Sequence, residues 1–324
     1  MKITADTRPV DSENLKPYAK YLMYKVVPQD KPAVEMTFAE MKQDQPTWDV
    51  DSMIRGVEHL SEVAGGREVM YDVYAPEDCA DDPEKQDVKV FFLPADQQPS
   101  DKPFVLLISG GAYTCVCSIV ESFPTAARLN ELGYNCFVLN YRVMQDRLLP
   151  KPEEDVAAAL TFILNNKDKF GLHNTEYIVG GFSAGASVTV IWGTEANGWK
   201  KYGLPRPKAM FPIYPVISSE YNYEPAKDWF LTMMFGKGYD MATVKSFDIP
   251  ETFTAAYPPC YIVHAKDDPM VPVRNSIELK ALLDGADIPA GLELIETGGH
   301  GWGDGSGTDA AGWPDRAAAF AETL

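Results

Sequence analysis

An α/β fold on one mostly parallel sheet of eight strands, flanked by helices, is what this chain predicts, and three observations predict it. From about residue 67 onward, short β-branched or apolar runs alternate with longer stretches of helical period, the pattern of βαβ units around a largely parallel sheet. The 324 residues, 45% hydrophobic and 23% charged, have the composition of an ordinary globular protein able to bury a large core. Finally, "VGGFSAGASV", Val179 to Val188, sets a serine between glycines directly after an apolar run, as a sharp strand-to-helix corner does.

The elements follow in order. Residues 1–66 are rich in Pro, Lys and acidic side chains, with short helices expected around Asn14 to Tyr24 and Val50 to Val63. They read as an N-terminal extension packed on the core, not a second fold. Residues 67–324 read as one doubly wound domain. Its expected strands are "REVMYDVY", "VKVFFL", "FVLLIS", "NCFVLNY", "EYIVGG", "KAMFPIY", "CYIVHA" and "LELIE". Between them lie amphipathic stretches such as "EDVAAALTFILNN", where Val156, Leu160, Ile163 and Leu164 share one helical face behind Pro152. Residues 217–257 separate two strands with far more chain than a crossover needs and are crowded with aromatic and Met side chains, which suggests a lid or pocket wall. "TGGHGWGDGSGTDAAGW" is too glycine-rich for regular structure and too full of His, Trp and Asp for a plain linker.

Charge and cysteine usage exclude several classes. A formal net charge of -18 repels phosphate backbones and anionic head groups, so neither nucleic acid nor a membrane surface is expected as a partner. The N-terminus lacks the apolar core of a signal peptide and no run is long enough to span a bilayer, so the expectation is a soluble, cytoplasmic protein. Five cysteines with no CxxC pair suggest neither a disulfide framework nor a zinc site, and no metal is expected. Homo-oligomerisation is left open.

Gly181, Ser183 and Gly185 have the Gly-x-Ser-x-Gly spacing of a nucleophile elbow, in which the corner lifts the hydroxyl clear of the sheet. The bland alternative is a helix start with Ser as its N-cap. A strand before and a small-residue helix after favour the elbow. A serine needs a base, and with the order Ser, acid, His, both His59 and His173 precede Ser183 and are excluded. His264 closes a strand and suits a structural role, which leaves His300 in the glycine-rich loop. The acid belongs at the end of the preceding strand, where "HAKDDPMVP" offers Asp267 and Asp268. Asp268 is favoured, its neighbour taking a turn or capping role. For the developing oxyanion, Gly111 and Ala112 after "FVLLIS" and Ala184 directly after the serine are the expected backbone donors. Tyr113 and Trp302 are candidate substrate contacts, although aromatic residues so placed are more often lid core. Cys115 and Cys117, as alternative nucleophiles, do not sit at the elbow.

At these residues the chain resembles the α/β-hydrolase superfamily, and within it the acetyl-xylan-esterase-like and hormone-sensitive-lipase-like esterases of bacteria. "SGGAYTCVCSIVESFPTAARLNELGYNCFVLNYRV" is similar to that family's oxyanion loop, following helix and next strand; "GFSAGA" to its elbow; "HAKDDPMVPVRNS" to its acid segment; "GGHGW" to its histidine loop. The resemblance covers most of residues 67–324 and supports Asp268, three positions before the Val271 of the "VP" pair. Ser109 stands where lipase-like relatives often have His, and residues 1–66 have no counterpart. What the resemblance implies is a serine carboxylic-ester hydrolase with a Ser-His-Asp triad and no cofactor. Its small-molecule substrates would be short-acyl or cinnamoyl esters such as acetylated carbohydrates. The rival expectations are an amide hydrolase, either a formamidase or a small peptidase, and a non-catalytic ligand-binding homologue that has lost turnover.

Overall fold

Phe104 to Ile108 and Tyr177 to Phe182 are buried along their full length, as central strands covered on both faces must be. In the computed structural model, which describes residues 2–26, 32–221 and 224–324, all eight expected strands form. Met1 and Val27 to Lys31 of the N-terminal stretch, and Asn222 and Tyr223 of the aromatic excursion, lie outside the described residues. The strands are β1 (Met70–Asp72), β2 (Lys89–Leu93), β3 (Phe104–Ile108), β4 (Cys136–Asn140), β5 (Tyr177–Phe182), β6 (Ala209–Ile213), β7 (Cys260–Ala265) and β8 (Ala290–Ile295).

Their order across the sheet is β1-β2-β4-β3-β5-β6-β7-β8. β2 runs antiparallel to both neighbours, and every pairing from β4 to β8 is parallel. β1 is the edge and keeps only three of the eight residues expected for it, as short edge strands commonly do. β3 lies between β4 and β5, so the chain leaves β3 to one side and returns on the other. In open parallel sheets the crevice at such a reversal, beyond the carboxyl ends of the strands, is where ligands bind. Here it lies beyond Ile108 and Phe182, where the glycine loop and Ser183 begin.

Described residues of the first 66 share the same core. Leu22, Phe38, Met53, Val57 and Leu60 are fully buried in one cluster with the sheet residues, and the Val50–Ala64 helix packs on the Ser122–Glu131 helix. The Phe38–Asp44 helix starts at a capping box: the Glu40 N–H donates to Thr37 Oγ1 at 3.1 Å and the Thr37 N–H to the Glu40 carboxylate at 2.7 Å. Within residues 217–257 the helices Glu224–Phe235, Met241–Lys245 and Ile249–Thr252 form. Among the described residues no helix is long and apolar enough to cross a membrane.

One core position works against stability. Glu153 is fully buried, and among the described residues its carboxyl oxygens have no hydrogen-bond partner outside their own residue. Burial pushes its pKa up to about 8. An unfolded glutamate ionises near pH ~4.3, whereas the folded one keeps its proton to about 8, so stability declines as pH rises between those values. Glu153→Gln removes that penalty. Its melting temperature is expected to exceed wild type by several degrees at pH 8 and by little at pH 5, and an equal offset at both pH values would contradict the assignment.

Candidate active site

Gly181 and Gly185 are required by contact. A Cβ on Gly181 would lie 2.3 Å from the Gly185 carbonyl oxygen, and one on Gly185 would lie 2.1 Å from the Ile108 carbonyl oxygen. The Ala184–Trp192 helix therefore packs straight onto β3 and β5, and the turn that joins it to β5 is tight. Ser183 occupies that turn with φ 51° and ψ -118°, a left-handed conformation that costs a non-glycine residue of order 1–3 kcal/mol. Its N–H is held by the Ile213 carbonyl at 3.0 Å, and its own carbonyl accepts from the Ser187 N–H at 3.0 Å.

Ser183 Oγ lies 2.8 Å from His300 Nε2, and His300 Nδ1 lies 2.7 Å from Asp268 Oδ2. A carboxylate can only accept, so the proton of neutral His300 sits on Nδ1 and leaves Nε2 free to accept from the serine. The Asp268 side chain is buried and heavily supported. Its Oδ1 accepts the N–H groups of Met270 and Val271, each at 2.8 Å, and His264 Nε2 stands 3.3 Å from Oδ2. Burial pushes the Asp268 pKa up, but the hydrogen bonds from His264 and His300 and the nearby His300 charge outweigh it and hold the carboxyl at about 2. Asp268 is therefore ionised throughout the neutral range.

Neighbours fix the loop that carries His300. Asp267 accepts from the N–H groups of Gly298 at 3.0 Å and Gly299 at 2.8 Å. From the N-terminal stretch, the Thr47 hydroxyl donates to the His300 carbonyl at 2.7 Å. The Tyr214 ring packs on the imidazole with centroids 4.7 Å apart. His264, fully buried, takes the Ser276 hydroxyl on Nδ1 at 2.7 Å and aims Nε2 at the Val271 carbonyl, 3.0 Å away, as well as at Asp268.

Beyond β3 the backbone turns back on itself, with φ of 131° at Gly111, 52° at Ala112 and 58° at Tyr113. Glu121 accepts the Gly110 N–H at 2.5 Å and the Tyr214 hydroxyl at 3.0 Å, and Tyr141 donates to the Ser109 carbonyl at 2.9 Å. The Ser109 side chain pairs with Ser122, so the position where lipase-like relatives often carry His is satisfied internally. Among the described residues the N–H groups of Gly111, Ala112 and Ala184 donate to no protein acceptor. Glu121, fully buried beside them, has its pKa pushed up to about 8 by burial, against the two hydrogen bonds it accepts.

Two cavities meet at Ser183, Ala112, Met270 and His300. One, about 260 Å³, is walled by Met23, Met36, Met41 and Trp48 from the N-terminal stretch and by Cys115 and Cys117. The other, about 400 Å³, is walled by Lys227, Trp229 and Phe230 from the excursion and by Ser187 of the elbow helix. Tyr113 and Trp302 line neither: the two residues are only 1% and 2% exposed, and Trp302 packs edge-on against Tyr214. A larger hollow of about 1100 Å³, lined by Tyr74, Lys85 and Phe162, lies at the β1 edge and shares no residue with this site. All five cysteines are free, with Cys115 and Cys117 Sγ 3.9 Å apart. Among the described residues no group of three His, Cys, Asp or Glu side chains could hold a metal ion.

Sequence reasoning nominated Ser183, His300 and Asp268, and these three side chains meet. It missed Glu121, Tyr214, Thr47 and Trp48, whereas Trp229 belongs to the aromatic excursion expected to form a lid or pocket wall. Only Glu121 carried a local signal, as the one charge in the apolar run "SIVESF" just after the glycine loop.

A protein-family model described as BD-FAE matches residues 90–283. Among curated relatives, endo-1,4-beta-xylanase B of Butyrivibrio fibrisolvens is 29% identical over 61% of this chain and 32% of its own length. An acetylxylan esterase of Xylanibacter ruminicola is 28% identical over 67% of this chain and 44% of its own length. The chain thus spans less than half the length of these curated relatives. Of solved structures, the acetyl ester-xyloside bifunctional hydrolase from Caldicellulosiruptor lactoaceticus superposes with a TM-score of 0.67 at 25% identity, covering 79% of this chain and 96% of that one. The carboxylesterase Cest-2923 from Lactobacillus plantarum shares the fold, with a TM-score of 0.62 at 21% identity over 73% of this chain and 92% of that one.

Proposed function

Because the chain belongs to the BD-FAE family and has the α/β-hydrolase fold, we propose that it is a serine carboxylic-ester hydrolase acting on short-acyl or cinnamoyl esters of carbohydrates. The observation that carries the reading is the hydrogen-bonded line Ser183, His300, Asp268, with separations of 2.8 and 2.7 Å. In the first step His300 Nε2 takes the hydroxyl proton as Ser183 Oγ bonds to the ester carbonyl carbon. The oxyanion is met by the N–H groups of Gly111, Ala112 and Ala184. When the carbon–oxygen bond to the alcohol breaks, His300 returns that proton to the leaving oxygen. Water, deprotonated by the same nitrogen, then releases the acid and restores the serine.

The carbohydrate half of the reading is supported by the relatives, one named an acetylxylan esterase and one an acetyl ester-xyloside hydrolase. It is also supported by Trp229, 55% exposed among residues of the second cavity, because an exposed aromatic face suits a sugar ring. The test is a substrate panel with 4-nitrophenyl acetate and butyrate, acetylated xylo-oligosaccharide and methyl ferulate, together with labelling by a fluorophosphonate. Hydrolysis of at least one sugar or ferulate ester is expected, with one phosphonyl group per chain on the peptide holding Ser183. A folded protein that takes no label and cleaves no ester would overturn the reading.

A further inference from the structure

The two cavities at Ser183 are both mainly apolar and differ in who builds them and in how buried the side chains of their walls are. The first is walled on one side by the N-terminal stretch, whose Met23, Met36, Met41 and Trp48 are buried. Thioethers, an indole, Val120 and the two thiols make most of its surface apolar, with Asp44, the exposed Gln45 and Glu121 also in its wall. The second has Lys227, Ser187 and the exposed Trp229, while Met270, 59% exposed, borders both. Ala112, one of the free backbone donors, belongs to both. A carbonyl bound there can send one substituent into each cavity.

We propose that the N-terminal chamber is the acyl site and that residues of the first 66 set acyl selectivity, while the excursion side holds the alcohol. This rests on the esterase reading above. An acyl group is finite and apolar, so it suits a chamber with buried, apolar walls. The alcohol of a carbohydrate ester continues into solvent, so it suits the side whose indole wall, Trp229, is exposed, not the one whose Met23, Met36, Met41 and Trp48 walls are buried. The chamber volume of about 260 Å³ is several times the roughly 30 Å³ share of one water molecule. It therefore holds acyl groups larger than acetyl. The flexible methionines let it adapt to flat or linear groups.

The assignment separates two ratios that one experiment reads. With the leaving group fixed, kcat/KM for 4-nitrophenyl butyrate relative to acetate reports the acyl site. With the acyl group fixed, acetylated xylo-oligosaccharide relative to 4-nitrophenyl acetate reports the alcohol site. Met41→Phe narrows the chamber and Trp48→Ala widens it, so the butyrate-to-acetate ratio is expected to fall for the first and rise for the second. Each shift should be about tenfold, the lower end of what one methylene is worth in an apolar pocket. Opposite signs cannot come from a general loss of folding, and thermal melting checks both variants. Trp229→Ala is expected to lower the sugar ratio and leave the acyl ratio in place. If both chamber variants keep the acyl ratio within twofold of wild type, or move the alcohol ratio instead, the assignment is overturned while the esterase reading stands. A wild type inactive on all of these esters defeats the esterase reading and the assignment with it.

Discussion

Ser183→Ala is expected to lower kcat for 4-nitrophenyl acetate by about 10⁵- to 10⁶-fold and to leave the melting temperature within a few degrees of wild type. The size follows from what the hydroxyl does. In the proposed mechanism it is the atom that forms the acyl-enzyme, and removing the nucleophile of such a unit costs about as much as removing the whole unit. The residual rate comes from the backbone donors at Gly111, Ala112 and Ala184, which the substitution leaves in place. Stability changes little because, among the described residues, the only hydrogen bond made by the Ser183 hydroxyl is to His300. Alanine meets the same strain at φ 51° as serine does. For the same reason His300→Ala in the Ser183→Ala background should cost almost nothing more. Activity of the single variant within tenfold of wild type would remove Ser183 from the mechanism.

The sheet was legible because its central strands, β2 to β7, are apolar runs punctuated by turn residues, and burial on both faces makes such runs nearly continuous. β1 was read too long: at the sheet edge only Met70 to Asp72 pair with β2, and Arg67 and Glu68 stay exposed. The Phe38–Asp44 helix went unread although its capping box was there in Thr37 and Glu40, since seven residues give too few turns for a hydrophobic period to show. The three side chains that meet, Ser183, His300 and Asp268, were legible because backbone geometry forces their surroundings. Glycine is compulsory at 181 and 185, and the acid and histidine follow strands whose ends must face the same crevice. What supports them was not legible. Thr47 and Trp48 reach the site only because the N-terminal stretch folds over the carboxyl ends of the strands. No local pattern encodes that fold-over. Tyr113 and Trp302 were nominated for standing beside motifs, yet loops bury their large aromatic rings beneath the backbone they carry. The walls of the two cavities are made instead by aromatics distant in sequence, Trp48, Trp229 and Phe230.

Asp268→Asn should lower kcat by about 10⁴-fold, the scale seen when a triad acid is made an amide. The local hydrogen bonds dictate how the amide sits. Oδ1 accepts two backbone N–H groups, from Met270 and Val271, so an asparagine must place its carbonyl oxygen there and its NH₂ where Oδ2 was. That NH₂ faces His300 Nδ1 and donates to it, which drives the imidazole proton to Nε2, the nitrogen that must accept from Ser183. The tautomer is then wrong for a general base. The same NH₂ meets His264 Nε2, which has only the Val271 carbonyl left as an acceptor, so the variant also sets two donors against each other in a buried site. A stability change with a defined sign follows. Because the folded carboxyl is held at about 2, below the usual carboxylate range, Asp268 contributes stability that is fully present above pH ~4 and lost as pH falls through about 2. The variant lacks that contribution, so its melting temperature should fall below wild type at pH 7 and approach it below pH 3. Measured together, kcat and the melting curve separate the two roles. A kcat within tenfold of wild type would mean that Asp268 does not fix the tautomer of His300, whatever the melting curve does.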